Sequence, residues 1–173
     1  MEIDTLQALA TVLVAIAMAP ALAHAFEFPG KKRLDRQAYV TVQGIYYPGF
    51  TLLGVSEPIS LLVVIIAALM LPAATVAFWL TAAALIGLLG MQVAYWVFVH
   101  PTNSYWLRNA SVGLSAVGGS FFELDPGGRA ARKFGGTLDW MKVRNRWEYA
   151  HIARSALAFL SFVCLLLSVF ARR

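Results

Sequence analysis

Glu148 and His151 stand three residues apart, as Glu-x-x-His, at the head of the last long apolar run of the chain. Three residues is close to one helical turn, so both side chains reach one point. A carboxylate and an imidazole meeting there can hold a metal ion, as in di-iron carboxylate bundles, or can move a proton. Arg144, Trp147 and Arg154 fall on the same arc, roughly 120° wide at about 100° per residue. A guanidinium on such a face stabilises an anion that develops beside it. His151, Arg154, Glu148 and Arg144 are therefore the candidate catalytic residues.

The first apolar run ends with the reverse pair, His24 and Glu27, again three apart, and the third ends at His100, one turn after Trp96 and two after Gln92. These three histidines are all the chain has. His24, Glu27, His100, Glu148 and His151 form the candidate metal set; imidazole and carboxylate suit non-haem iron, copper or zinc, and a haem on one or two histidines is a variant. Gln43, Tyr47, Phe50, Gly54 and Glu57 carry the spacing of one face of a continuous helix. Glu57 precedes Pro58 inside a segment that must cross lipid, where an ionisable residue is expensive and marks a functional site. For a helix starting near Gly49 it sits roughly 12 Å in, just below the histidines. Gln43, Tyr47 and Glu57, with Trp96, Asn103 and Trp147, are the candidate substrate-binding residues.

The elements that must position these groups follow from composition. Of 173 residues 60% are hydrophobic and 13% charged, and the mean hydropathy is +0.68. About 20 apolar residues cross a bilayer core. Four segments qualify, about 5–26, 49–71, 74–100 and 149–171. The expected fold is an all-α membrane protein: one transmembrane domain, residues 1–173, built as a four-helix bundle with a long glycine-rich loop between helices 3 and 4. "ALAHA" imitates a signal-peptide cleavage site, but Glu2 and Asp4 replace the usual cations and the apolar run is long, so it reads as a retained span. Cys164, the single cysteine, can form no internal disulfide.

Four spans place both termini and the "LPAAT" turn on one face, and segments 27–48 and 101–148 on the other. Of the fourteen Lys and Arg, Arg172 and Arg173 are on the terminal face and the other twelve on or next to the loop face. The positive-inside rule then makes the long segments cytoplasmic, with the termini on the non-cytoplasmic side of a membrane such as the bacterial inner membrane. Orientation and anionic lipid explain the net charge of +5 without a nucleic-acid partner. All three histidines then lie at the cytoplasmic end. The loop lacks the pattern of a phosphate-binding loop, and Thr137 could cap a helix beginning near Leu138.

Structural roles compete for the same residues. His24 could be an interfacial helix end, and His100 before Pro101 a helix terminator. Glu148 could pair with Arg144 one turn earlier, Arg154 could snorkel to the headgroups, and Trp96, Trp106, Trp140 and Trp147 could form an interfacial belt.

"VHPTNSYW" and "RNRWEYAHIARSALAF" resemble the anthrone-oxygenase-like family of small four-helix membrane proteins, as do "GIYYPGF" and the Glu57–Pro58 step of the second span. The likeness covers the spans better than the loops. Its most specific part is Arg146, Trp147, His151 and Arg154; the long glycine-rich loop and Glu148 depart from a minimal member. The resemblance implies an oxygenase that turns anthrones into anthraquinones without a conventional cofactor. The expectation is thus an oxygenase-type oxidoreductase with a polar His/Glu/Arg pocket for a small aromatic or lipophilic substrate. The alternative is a non-catalytic accessory subunit of a larger membrane complex or homo-oligomer, binding quinone, haem or lipid. Four spans without an obvious repeat give transport little to build on.

Overall fold

The computed structural model describes residues 3–46, 49–109 and 139–171. Among these residues there is no strand, and four helices are long and apolar enough to cross a membrane. The chain is an all-α, four-helix membrane protein.

Helix α1, Ile3–Lys31, outruns the expected first span and carries Glu27 and Lys31 with it. Asp35 then caps α2, Arg36–Gln43, by accepting from the Ala38 N–H at 2.8 Å. The continuous helix expected from Gln43 to Glu57 is broken. Gly44–Tyr46 forms a 3-10 turn, α3 covers Gly49–Gly54, and α4, Ser56–Met70, begins after Val55. Glycines at positions 44, 49 and 54 lower the cost of leaving the helix there.

Thr75 caps α5, Val76–Ala94, by accepting from the Phe78 N–H at 3.2 Å. The helix does not stop at His100. It passes through a π-helical segment, Tyr95–Val99, into α6, His100–Asn109. Pro101, which has no N–H to donate, follows directly on the π-helical segment inside this continuous helix. The last helix, α7, Trp140–Phe170, is capped by Asp139, which accepts from the Met141 N–H at 3.0 Å. Thr137, the expected cap, and the glycine-rich centre of the loop lie outside the described residues. Both flanks of that connection are helical.

In the bundle α7 packs most extensively against α5 and α1, α4 lies against α1, and α4 against α5 is the sparsest of the four neighbouring-helix contacts. The core between them is built from small and branched side chains, including Ala10, Val14, Ala21, Val64, Ala84 and Ala158. Small residues matter because lipid is as apolar as leucine, so helix association depends on close backbone approach. Gly87 marks the closest approach. A Cβ there would lie 2.3 Å from Ser161 Oγ and 3.1 Å from the Leu157 carbonyl oxygen. Gly87→Ala is expected to cost about 1–3 kcal/mol through overpacking, read as a lowered Tm in detergent; an unchanged Tm would contradict the packing.

The end of the bundle that holds the termini is tied by neutral hydrogen bonds. Gln7 Nε2 donates to Ser168 Oγ at 2.6 Å, and Ser168 Oγ donates to the Ala77 carbonyl at 3.0 Å. The starts of α1 and α5 and the end of α7 therefore meet, which places His24, Glu57 and His151 at the opposite end. Leu62, Leu69, Trp79 and Ile86 stand exposed along the spans as a lipid-facing surface. The expected tryptophan belt is only partly formed. Trp96 is 40% exposed, whereas Trp106 and Trp147 are buried in an aromatic cluster with Tyr39 and Tyr46.

Candidate functional site: a polar cavity between the four spans

A cavity of about 210 Å³ opens between the helices at the end opposite the termini. Helix α1 contributes Pro20, Ala21 and His24, and the broken segment after it contributes Tyr46, Phe50 and Gly54. From α4 come Glu57 and Pro58; from α5 and the π-helical segment come Gln92, Tyr95, Trp96 and Val99; Asn103 follows from α6. Helix α7 supplies Trp147, His151 and Arg154. Sites of drug-sized ligands run to roughly 300–1,000 Å³, so this one suits a compact ring system.

The polar floor is an ordered chain of groups. Arg154 Nη2 is hydrogen-bonded to Glu57 Oε1, and Gln92 Nε2 donates to Glu57 Oε2 at 3.0 Å. Glu57 and Arg154 are both buried, so each satisfies a charge that lipid would otherwise reject. Arg154 Nη1 lies 3.3 Å from His151 Nδ1. A guanidinium can only donate, so Nδ1 is the acceptor and the neutral ring carries its proton on Nε2. That Nε2 is buried and makes no hydrogen bond. The His24 ring lies 4.2 Å from the His151 ring, centroid to centroid, and edge-on to Tyr46, Phe50 and Trp147 at 4.4, 4.9 and 4.8 Å. Trp147 Nε1 donates to Asn103 Oδ1 at 2.8 Å, so Asn103 has its amide N–H groups left to offer a ligand.

A second network lies behind Tyr46 and Trp147. Lys31 is buried, with Nζ 3.1 Å from Glu148 Oε2 and 3.5 Å from Glu27 Oε2. Tyr39 donates to Glu148 Oε1 at 2.8 Å and Tyr46 to Glu27 Oε2 at 2.5 Å. Lys31 Nζ also stands over the rings of Trp147, at 4.9 Å, and Tyr46, at 5.3 Å. Burial, reinforced by the Glu148 carboxylate, pushes the Tyr39 phenol up; burial and the bond to Glu27 do the same for Tyr46. Both phenols stay protonated and act as donors.

Of the residues proposed from sequence, His24, Glu57, Trp96, Asn103, Trp147, His151 and Arg154 share the cavity lining. Glu27 and Glu148 belong to the second network. The expected Glu148–Arg144 pair is replaced by Glu148–Lys31, and Arg154 turns inward to Glu57 instead of snorkelling. Arg144 lies over the Trp140 ring at 5.1 Å and donates to the Lys32 carbonyl at 3.5 Å, off the cavity. Gln43 is buried but does not line it. His100 is displaced from the lining and lies 5.0 Å from the Trp96 ring. Tyr47 is outside the described residues. Among the described residues no three His, Cys, Asp or Glu side chains come together as a metal-ligating group. The metal set from sequence is split because Glu148 faces Lys31, Glu27 serves Tyr46 and Lys31, and His100 lies off the cavity lining. Lys31, Tyr39 and Tyr46 were missed; the only signal for Lys31 was its position four residues after Glu27.

No family model matches the chain, and neither a curated protein nor a solved structure matches it.

Proposed function

We propose that this chain is an integral membrane oxidoreductase of the oxygenase type, acting on a small aromatic ketone or phenol held in the cavity. The observation that carries the reading is the contact of the His24 and His151 rings inside the cavity, with Arg154 bonded to His151 Nδ1. The two imidazoles then divide the work. His24 takes a proton from the acidic carbon across the ring from the carbonyl. His151 Nε2–H donates to the oxygen on which the negative charge collects, with the Arg154 charge behind it. Dioxygen adds at the carbanion, the proton held on His24 passes to the peroxide to give a hydroperoxide, and loss of water leaves a second carbonyl. The resemblance of the spans to the anthrone-oxygenase-like family supports this chemistry.

Lys32, Arg33, Arg36 and Lys142 are exposed at the cavity end. By the positive-inside rule they support a cytoplasmic position for that end, with the termini across the membrane, as in a bacterial inner membrane. A second reading, an accessory subunit that binds a quinone without turnover, is favoured by one observation: His151 Nε2–H and the Asn103 amide are donors suited to quinone carbonyls.

His24→Gln separates the two. With anthrone as probe in nanodiscs, the oxygenase reading predicts that kcat falls about 100-fold or more while binding survives. Binding of anthrone and its quinone to the unsubstituted protein, with no dioxygen uptake, would leave the accessory reading.

A further inference from the structure

The cavity is not closed, and its floor and rim differ in chemistry. The floor is the buried Glu57–Arg154–His151 group. The rim is formed by Gly54 and Pro58 on one side and Trp96 on the other. Pro58 is exposed and Trp96 is 40% exposed. Just outside the rim stand Val55, Ile59, Val93 and Val97, all apolar and all exposed. Between Gly49 and Phe98 the only acidic or basic side chain is Glu57, and it points inward to Arg154 and Gln92. Arg146 of α7 donates to the Val97 carbonyl at 2.7 Å and lies over the Phe98 ring, so a cation stands at the Val97 edge, while Val55, Ile59 and Val93 bring none. The opening also lies where the third span changes to π-helical winding, a segment that scarcely touches α4. Such local π windings are frequent at functional sites.

We infer that the cavity fills sideways from the hydrocarbon layer, through the gap between α4 and the π-helical segment. Its ligand is a membrane-dissolved molecule with a hydrogen-bond-accepting head at His151 and Arg154 and an apolar remainder at Gly54, Pro58 and Trp96. The inference rests on the reading of the cavity as a ligand site but not on the chemistry done there.

The test is the position of the mouth relative to lipid, measured by nitroxide labels in a Cys164→Ser background. Gly54→Cys and Pro58→Cys place labels at the rim; at Gly54 an added Cβ meets nothing within 4 Å, so the label is accommodated. Gln37→Cys, on the exposed face of α2, is the water reference, and Leu62→Cys, at a residue 59% exposed on α4, is the lipid reference. Collision rates with dioxygen, which dissolves in lipid, and with a water-soluble nickel chelate are compared in phosphatidylcholine nanodiscs. The expected oxygen-to-nickel ratio at both rim sites matches Leu62 and exceeds Gln37 several-fold. A ratio at either rim site equal to that at Gln37 would overturn lateral filling. The measurement needs no turnover, so failure of the oxygenase reading and failure of this one are seen separately.

Discussion

Arg154→Met is expected to lower stability by about 3–5 kcal/mol, the scale for removing one partner of a buried ion pair. The substitution keeps much of the side-chain volume, so the loss reports charge and not a cavity. It leaves the Glu57 carboxylate buried with Gln92 as its only remaining hydrogen-bond partner among the described residues. It also removes the donor that fixes the His151 tautomer. The double variant Glu57→Gln/Arg154→Met removes both charges and is expected to recover most of the loss, because the cost lies in the unpaired charge. Equilibrium unfolding of the two single variants and the double variant in detergent measures this directly. Additive losses, with no recovery in the double variant, would show that the two residues do not act as a pair.

Lys31→Met is expected to have an effect of similar size for a different reason. Glu148 is fully buried, and Lys31 is the cation nearest to it, at 3.1 Å. Without Lys31 the carboxylate retains the Tyr39 hydroxyl but, among the described residues, loses its ion-pair partner. The expected loss is about 3–5 kcal/mol, including a smaller share from the lost cation–π contacts to Trp147 and Tyr46. Glu148→Gln leaves a neutral amide in the same place and is expected to cost less than Lys31→Met, since the ammonium keeps Glu27 within 3.5 Å. A Lys31→Met protein with wild-type Tm, or one more stable than Glu148→Gln, would show that this network is not the buried ion cluster described.

The arc on α7 was legible from spacing alone. Arg144, Trp147, Glu148, His151 and Arg154 are all buried, as a shared inward face requires. What the arc meets was not legible. Periodicity assigns residues to a face but says nothing of how neighbouring helices are rotated. Whether Glu148 found Arg144 on its own helix or Lys31 on α1 depended on that rotation. The chain's third histidine shows a second limit. A regular helix through residues 92–100 puts Gln92, Trp96 and His100 on one side, and no residue in "YWVFV" announces a π turn. The wider winding shifts later side chains round the axis relative to an α-helix, and His100 leaves the cavity while Trp96 stays at its rim. In the second span a 3-10 turn at Gly44–Tyr46 interrupts the spacing: Phe50, Gly54 and Glu57 reach the cavity together, and Gln43 does not.

The most direct test of the oxygenase reading is dioxygen uptake by the purified protein in nanodiscs supplied with anthrone. The expected result is saturable uptake of one dioxygen per ketone consumed, with the quinone as product, and its loss in His151→Ala. Uptake no greater than in protein-free nanodiscs, or uptake unchanged in His151→Ala, would contradict it.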